Sequence, residues 1–128
     1  MNNGKKFEIR AEIVVHLTDE DVDAIMVSAL EGGINWWCKE AEVVGDYLGE
    51  FASDQISRGG MLILHDAEST DKWELDIEKF TQGFRLWLEH GGDRYGAVSN
   101  GKVDTCEIDG EMADQIIQYA LFGDVVFG

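Results

Sequence analysis

Residues 61–88 read MLILHDAESTDKWELDIEKFTQGFRLWL, and this stretch decides the fold. Met61 to Leu64 is an apolar run short enough for a buried strand, and the polar turn from Glu68 to Asp71 leads into Lys72-Trp73-Glu74-Leu75 as its hairpin mate. Asp76 then stands where a helix N-cap belongs. Behind it Ile77, Phe80, Phe84, Trp87 and Leu88 recur at helical spacing, and Gly91-Gly92 marks the stop. A hairpin running straight into an amphipathic helix indicates an α+β fold. Gly83 within that helix costs about 1 kcal/mol relative to Ala, which points to a close backbone contact there.

Working outward, Phe7, Ile9, Ala11, Ile13, Val15 and Leu17 alternate with Glu8, Arg10, Glu12 and His16, the period of a half-buried strand. Thr18 with Asp21 three residues on is an N-cap signature. Val22, Ile25, Met26, Ala29 and Leu30 form the apolar face of the helix it opens, which Gly32-Gly33 stops. Residues 34–44 read as a second strand and residues 47–57 as a short helix. Asn100-Gly101 between Val98 and Val103 signals a type I′ hairpin. Asp109 caps a last helix to about residue 122, and Asp124 to Phe127 is expected to add a final strand. The expectation is one domain over residues 1–128, with residues 1–5 disordered. Its sheet, mixed or antiparallel, has about five to seven short strands packed with three main helices and one short helix.

A shift of 91 residues places Val22, Ile25, Met26, Ala29 and Leu30 on Ala113, Ile116, Ile117, Ala120 and Leu121. Two accounts fit: a duplicated helix-Gly-strand unit, or two amphipathic helices that converge by patterning. The match spans too few residues to separate them, and its shortness favours convergence.

Twenty-six Asp and Glu against ten Lys and Arg give a formal charge of −16. Residues 11–38 and 103–128 contain no Lys or Arg, and each carries six acids. The chain is 45% hydrophobic with four Trp, so these acids decorate a folded surface instead of forming a disordered tail. A surface of this charge repels a nucleic-acid duplex, and direct DNA or RNA binding is not expected. Two cysteines make no disulfide framework, no signal peptide is evident, and no apolar run is long enough to cross a bilayer; a cytoplasmic setting without membrane contact is expected.

The acidic run from Asp19 to Asp23 places Asp at calcium-loop positions 1, 3 and 5, but Ala24 and Leu30 stand where the loop needs Gly and Glu. His16, His65, His90, Cys38 and Cys106 show no metal-ligand spacing. His16 is expected on the outer face of the first strand, His90 at a helix C-terminus, and the cysteines as small buried hydrophobes. There is no nucleophile elbow, phosphate loop or dinucleotide fingerprint. No catalytic residue, metal or cofactor is expected.

Ala29-Leu30-Glu31-Gly32-Gly33-Ile34 followed by Trp37-Cys38, Tyr47-Leu48-Gly49-Glu50 before Ser53, and Gln115 to Gly123 together resemble small uncharacterised proteins of prophages and mobile elements in gut Firmicutes. That resemblance implies an accessory gene, a class that includes inhibitors of host defence and transcription, and it carries no functional residue with it. The charge adds a preference for basic partners. The first expectation is a non-enzymatic protein that binds a basic site on a host protein, as a nucleic-acid mimic inhibiting a defence or nucleic-acid enzyme, through Asp19, Glu20, Asp21, Asp23, Glu107, Asp109, Glu111 and Asp114. The alternatives are a protein sequestering a nucleotide-like molecule, with Trp36, Trp37 or Trp73 beside Arg58, Arg85 or Arg94, or a domain whose acidity serves solubility alone. Exposed aromatics make a homodimer a further expectation.

Overall fold

The computed structural model describes Gly4 and residues 6–128; the expected disorder of residues 1–5 otherwise lies outside the described residues. The chain is α+β, and its described residues form three α-helices and two small antiparallel sheets around one core.

The first helix, α1 (Asp19–Ser28), opens on a reciprocal capping box: the Thr18 hydroxyl accepts from Asp21 N–H at 3.1 Å, and Asp21 Oδ2 accepts from Thr18 N–H at 3.0 Å. Its last turn widens into a π-turn over Ala29–Gly33, closed by Ile34 N–H on Ala29 O at 3.0 Å. β1 (Cys38–Val43) pairs antiparallel with β2 (Leu62–Asp66), and β2 with β3 (Lys72–Leu75). The register sets Val43 opposite Leu62, Leu62 opposite Leu75, and Leu64 between Ala41 and Trp73, so the apolar positions share the core face. The β2–β3 turn is fastened by Asp66, which accepts from the Ser69 hydroxyl at 2.6 Å and from Glu68 N–H at 3.2 Å. Those bonds, the Ser69 hydroxyl first, hold its carboxyl below the ordinary carboxylate range.

α2 (Ile77–Glu89) is capped by Asp76 and buries Phe80, Gly83, Phe84 and Trp87. A hairpin of β4 (Val98–Ser99) and β5 (Lys102–Val103) turns at Asn100 and Gly101 with φ of 53° and 74°, the left-handed pair a type I′ turn requires. α3 (Gly110–Phe122), capped by Asp109, packs along α2. A Cβ at Gly83 would lie 2.6 Å from Ala120 N and Ile116 O, so the two helices cross at backbone contact, as the glycine within the helix predicted.

Fewer strands form than predicted, and they divide between two sheets. Residues 7–17 are not a strand: His16 makes one isolated parallel bridge to Lys102, and Phe7, Ile9 and Ile13 are exposed. His16 therefore has no strand face to occupy. Residues 34–37 turn, so the second strand starts at Cys38. Residues 47–57 contain a 3-10 turn at Ala52–Asp54 in place of a helix. Side chains compete with the helical pattern there: Asp54 Oδ2 accepts from both Glu50 and Phe51 N–H at 3.0 Å, and buried Gln55 accepts from Leu48 N–H at 2.7 Å. Residues 124–127 do not extend a sheet either, because Gln118 Oε1 takes the N–H groups of Val126 and Phe127 at 2.9 and 2.8 Å. The 91-residue offset aligns the caps Thr18 and Asp109, but α1 ends in a π-turn and α3 on left-handed Gly123, so the two units close differently.

Candidate functional site

The eight acids singled out by charge do not form one face. At the start of α1, Asp19 and Glu20 are exposed, while Asp21 belongs to the capping box and Asp23 accepts from the Ser57 hydroxyl at 2.5 Å. At the start of α3, Glu107 and Glu111 are exposed, and Asp109 is committed to Met112 N–H at 2.9 Å. Asp114 is not a surface acid, being 8% exposed. Its Oδ1 accepts from Trp37 Nε1 at 2.7 Å and Gln118 Nε2 at 3.0 Å, and its Oδ2 from Trp36 Nε1 at 3.2 Å. The two helix starts also stand apart. The far end of α1 meets the start of α3, with Ser28 O and Gly33 both against Gly110, and the ten residues of α1 separate that point from Thr18 by about 15 Å.

What gathers at the start of α3 is a different set. Glu31, Trp36, Glu111 and Asp114, with Ser28 and the Gly33–Gly110 contact, line a shallow cleft of about 500 Å³, broadly open to solvent. A Cβ on Gly33 would lie 2.5 Å from Gly110 O, so the cleft floor requires glycine. Trp36 is 54% exposed, yet its ring is fixed at both ends: the indole N–H bonds Asp114, and the ring packs edge-on against Phe127 at 6.2 Å. Behind it Trp37 stacks on Phe127 at 4.9 Å, and Trp73 meets Phe122 edge-on at 5.0 Å.

An exposed indole beside carboxylates suits a guanidinium or ammonium group: the ring face attracts a cation and the carboxylates accept its N–H donors. The N-terminal end of α3 opposes this by favouring anions, and Asp109 and Glu111 already supply negative charge there. The arrangement does not suit a nucleotide phosphate. No arginine lines the cleft; Arg85 pairs with Glu89 at 2.9 Å on the exposed face of α2, and Trp37 is core.

Sequence reasoning missed Trp36 and Asp114 as partners and Glu31 as a neighbour of Glu111. The signal available was Asp114 itself, three and seven residues before the apolar Ile117 and Leu121, hence at the edge of the buried stripe of α3. Among the described residues no group of three His, Cys, Asp or Glu is arranged to hold a metal ion, and no helix is long and apolar enough to cross a membrane. Cys38 is buried as expected, and burial pushes its thiol upward, away from the reactive thiolate. Cys106, against expectation, is exposed, because it lies in a 3-10 turn at the surface. His90 caps the C-terminus of α2, its Nδ1 2.7 Å from Leu86 O, and stacks on Tyr119. No protein-family model, curated protein or solved structure matches the chain.

Proposed function

We propose that the protein is a non-enzymatic binding protein that engages a basic site on a host protein, as an accessory factor of the prophage or mobile-element kind. The observation that carries this reading is the cleft at the start of α3, where a rigidly held Trp36 shares its walls with Glu31 and Glu111. Long-range attraction comes from the rest of the surface. Among the described residues two arginine–carboxylate pairs and one His65–Glu42 contact form, so most of the 26 acids have no ion-pair partner and their field extends into solvent. Capture of a lysine or arginine side chain in the cleft explains the geometry better than mimicry of a whole duplex, which needs a continuous acidic face. Of the eight acids considered, Asp21, Asp23, Asp109 and Asp114 are spent on internal hydrogen bonds.

The test is affinity capture from a Firmicute lysate at low salt, followed by a salt step, with wild type and the Glu31→Gln/Glu111→Gln double variant. The expected outcome is a basic protein held by wild type, released by salt, and weakly held by the variant. Recovery of no partner at either salt, or equal retention by both proteins, sinks the reading.

A further inference from the structure

The segment before α1 has strand periodicity and, among the described residues, no partner strand. Among the described residues its one ladder contact is the His16–Lys102 bridge at its C-terminal end, where His16 N–H donates to Gly101 O at 2.7 Å. Beyond that anchor Phe7, Ile9, Ile13 and Val14 are 87, 86, 78 and 70% exposed, more than any other large hydrophobic residue described. Scattered apolar residues on a surface need no explanation, but four within eight residues, three of them on one strand period, do.

The segment is complementary to its own reverse. Laid antiparallel to a second copy about Ala11, Phe7 falls opposite Val15, Ile9 opposite Ile13, and Ala11 opposite Ala11, all on one face. On the other face Arg10 falls opposite Glu12, twice by symmetry, and Glu8 opposite Val14. Opposite charges directly across a strand pair stabilise it and like charges destabilise it. Slipping the register by two residues sets Glu12 against Glu12, or Arg10 against Arg10. Slipping it by one puts the two apolar sets on opposite faces. Centring on Ile9 pairs Lys6 with Glu12 and Glu8 with Arg10, but takes Ile13 and Val15 out of the apolar match. We infer that two copies of this chain associate through these arms, residues 7–15 of each forming an antiparallel two-stranded ribbon centred on Ala11.

The occupant is a second copy because the match is to itself, which is what a two-fold interface requires. A two-stranded ribbon alone is marginal in water and must rest on something. Val15 already packs against the core of its own body, so pairing Phe7 with the partner's Val15 seats each end of the ribbon where the other chain enters its fold. The intrachain contact of Arg10 with Glu8, 3.5 Å long and exposed at both ends, is weak enough to exchange for Glu12 of the second copy.

Sedimentation of the full chain tests this, together with disulfide trapping in a Cys106→Ser background that leaves buried Cys38 in place. Wild type is expected to dimerise. Arg10→Glu should raise the dimer dissociation constant about tenfold or more, and the charge swap Arg10→Glu/Glu12→Arg should restore it. Ala11→Cys should form an interchain disulfide, whereas Glu8→Cys, whose two copies would stand six residues apart across the ribbon, should not. All substitutions are on exposed positions, and circular dichroism checks that the body stays folded. A monomer at every concentration overturns the proposal, as does a dimer indifferent to Arg10→Glu or one trapped by Ile9→Cys in place of Ala11→Cys.

Discussion

Asp114 shows how a single carboxylate can be withdrawn from the surface charge and used as an acceptor. Three N–H donors converge on it, none of them a cation, and no buried side-chain polar atom among the described residues lacks a partner. Removing the acceptor leaves Trp37 Nε1 buried without a partner and frees the ring of exposed Trp36. Asp114→Ala is therefore expected to destabilise the fold by about 3 kcal/mol, and Asp114→Asn, which offers one acceptor oxygen for three donors, by about 1–2 kcal/mol. Urea denaturation followed by tryptophan fluorescence measures both. A loss below about 0.5 kcal/mol in the alanine variant refutes the assigned role. This role was not legible in the sequence. Charge counting treats every Asp alike, and only the meeting of the α3 stripe with the Trp36-Trp37 pair, 78 and 77 residues away, distinguishes Asp114 from exposed Glu111.

Among the elements, the crossing of α2 and α3 requires a residue without a Cβ at Gly83. Substituting Ala improves helix propensity by about 1 kcal/mol but drives a methyl group into Ile116 O and Ala120 N at 2.6 Å, backbone atoms that cannot swing aside. Overpacking wins, and Gly83→Ala should lower stability by about 1–3 kcal/mol, while Gln82→Ala on the exposed face is nearly neutral. Thermal unfolding of the two variants checks the pair; a stabilised Gly83→Ala means the helices do not touch there. The hairpin β2–β3, the caps Thr18, Asp76 and Asp109, and the Asn100-Gly101 turn were all readable because each rests on contacts within a few residues. Residues 7–17 and 47–57 misled for complementary reasons. Alternation reports a period without supplying a neighbouring strand, and a helical-looking segment yields when Asp54 and Gln55 offer its backbone N–H groups better acceptors.

For the molecule as a whole, the question is whether its charge is neutralised within the fold. Among the described residues ion pairs are few, and both arginine–carboxylate pairs join neighbours in sequence, Arg10 with Glu8 and Arg85 with Glu89, which contribute little to holding the fold together. With a formal charge of −16 left largely facing solvent, carboxylates repel one another in the compact state more than in the expanded chain. Salt should then stabilise the protein, since screening reduces repulsion over distances beyond about 10 Å at 0.1 M and costs only the weak surface pairs. Raising NaCl from about 0.01 to 0.3 M is expected to lift Tm by about 3–5 °C, equivalent to about 1 kcal/mol for a chain of this size. Calorimetry at one fixed protein concentration measures it, because self-association would otherwise shift Tm by mass action. A Tm that stays flat or falls with salt would mean that the acids are locally compensated. The long-range field invoked for partner capture would then be absent, leaving recognition to the cleft beside Trp36.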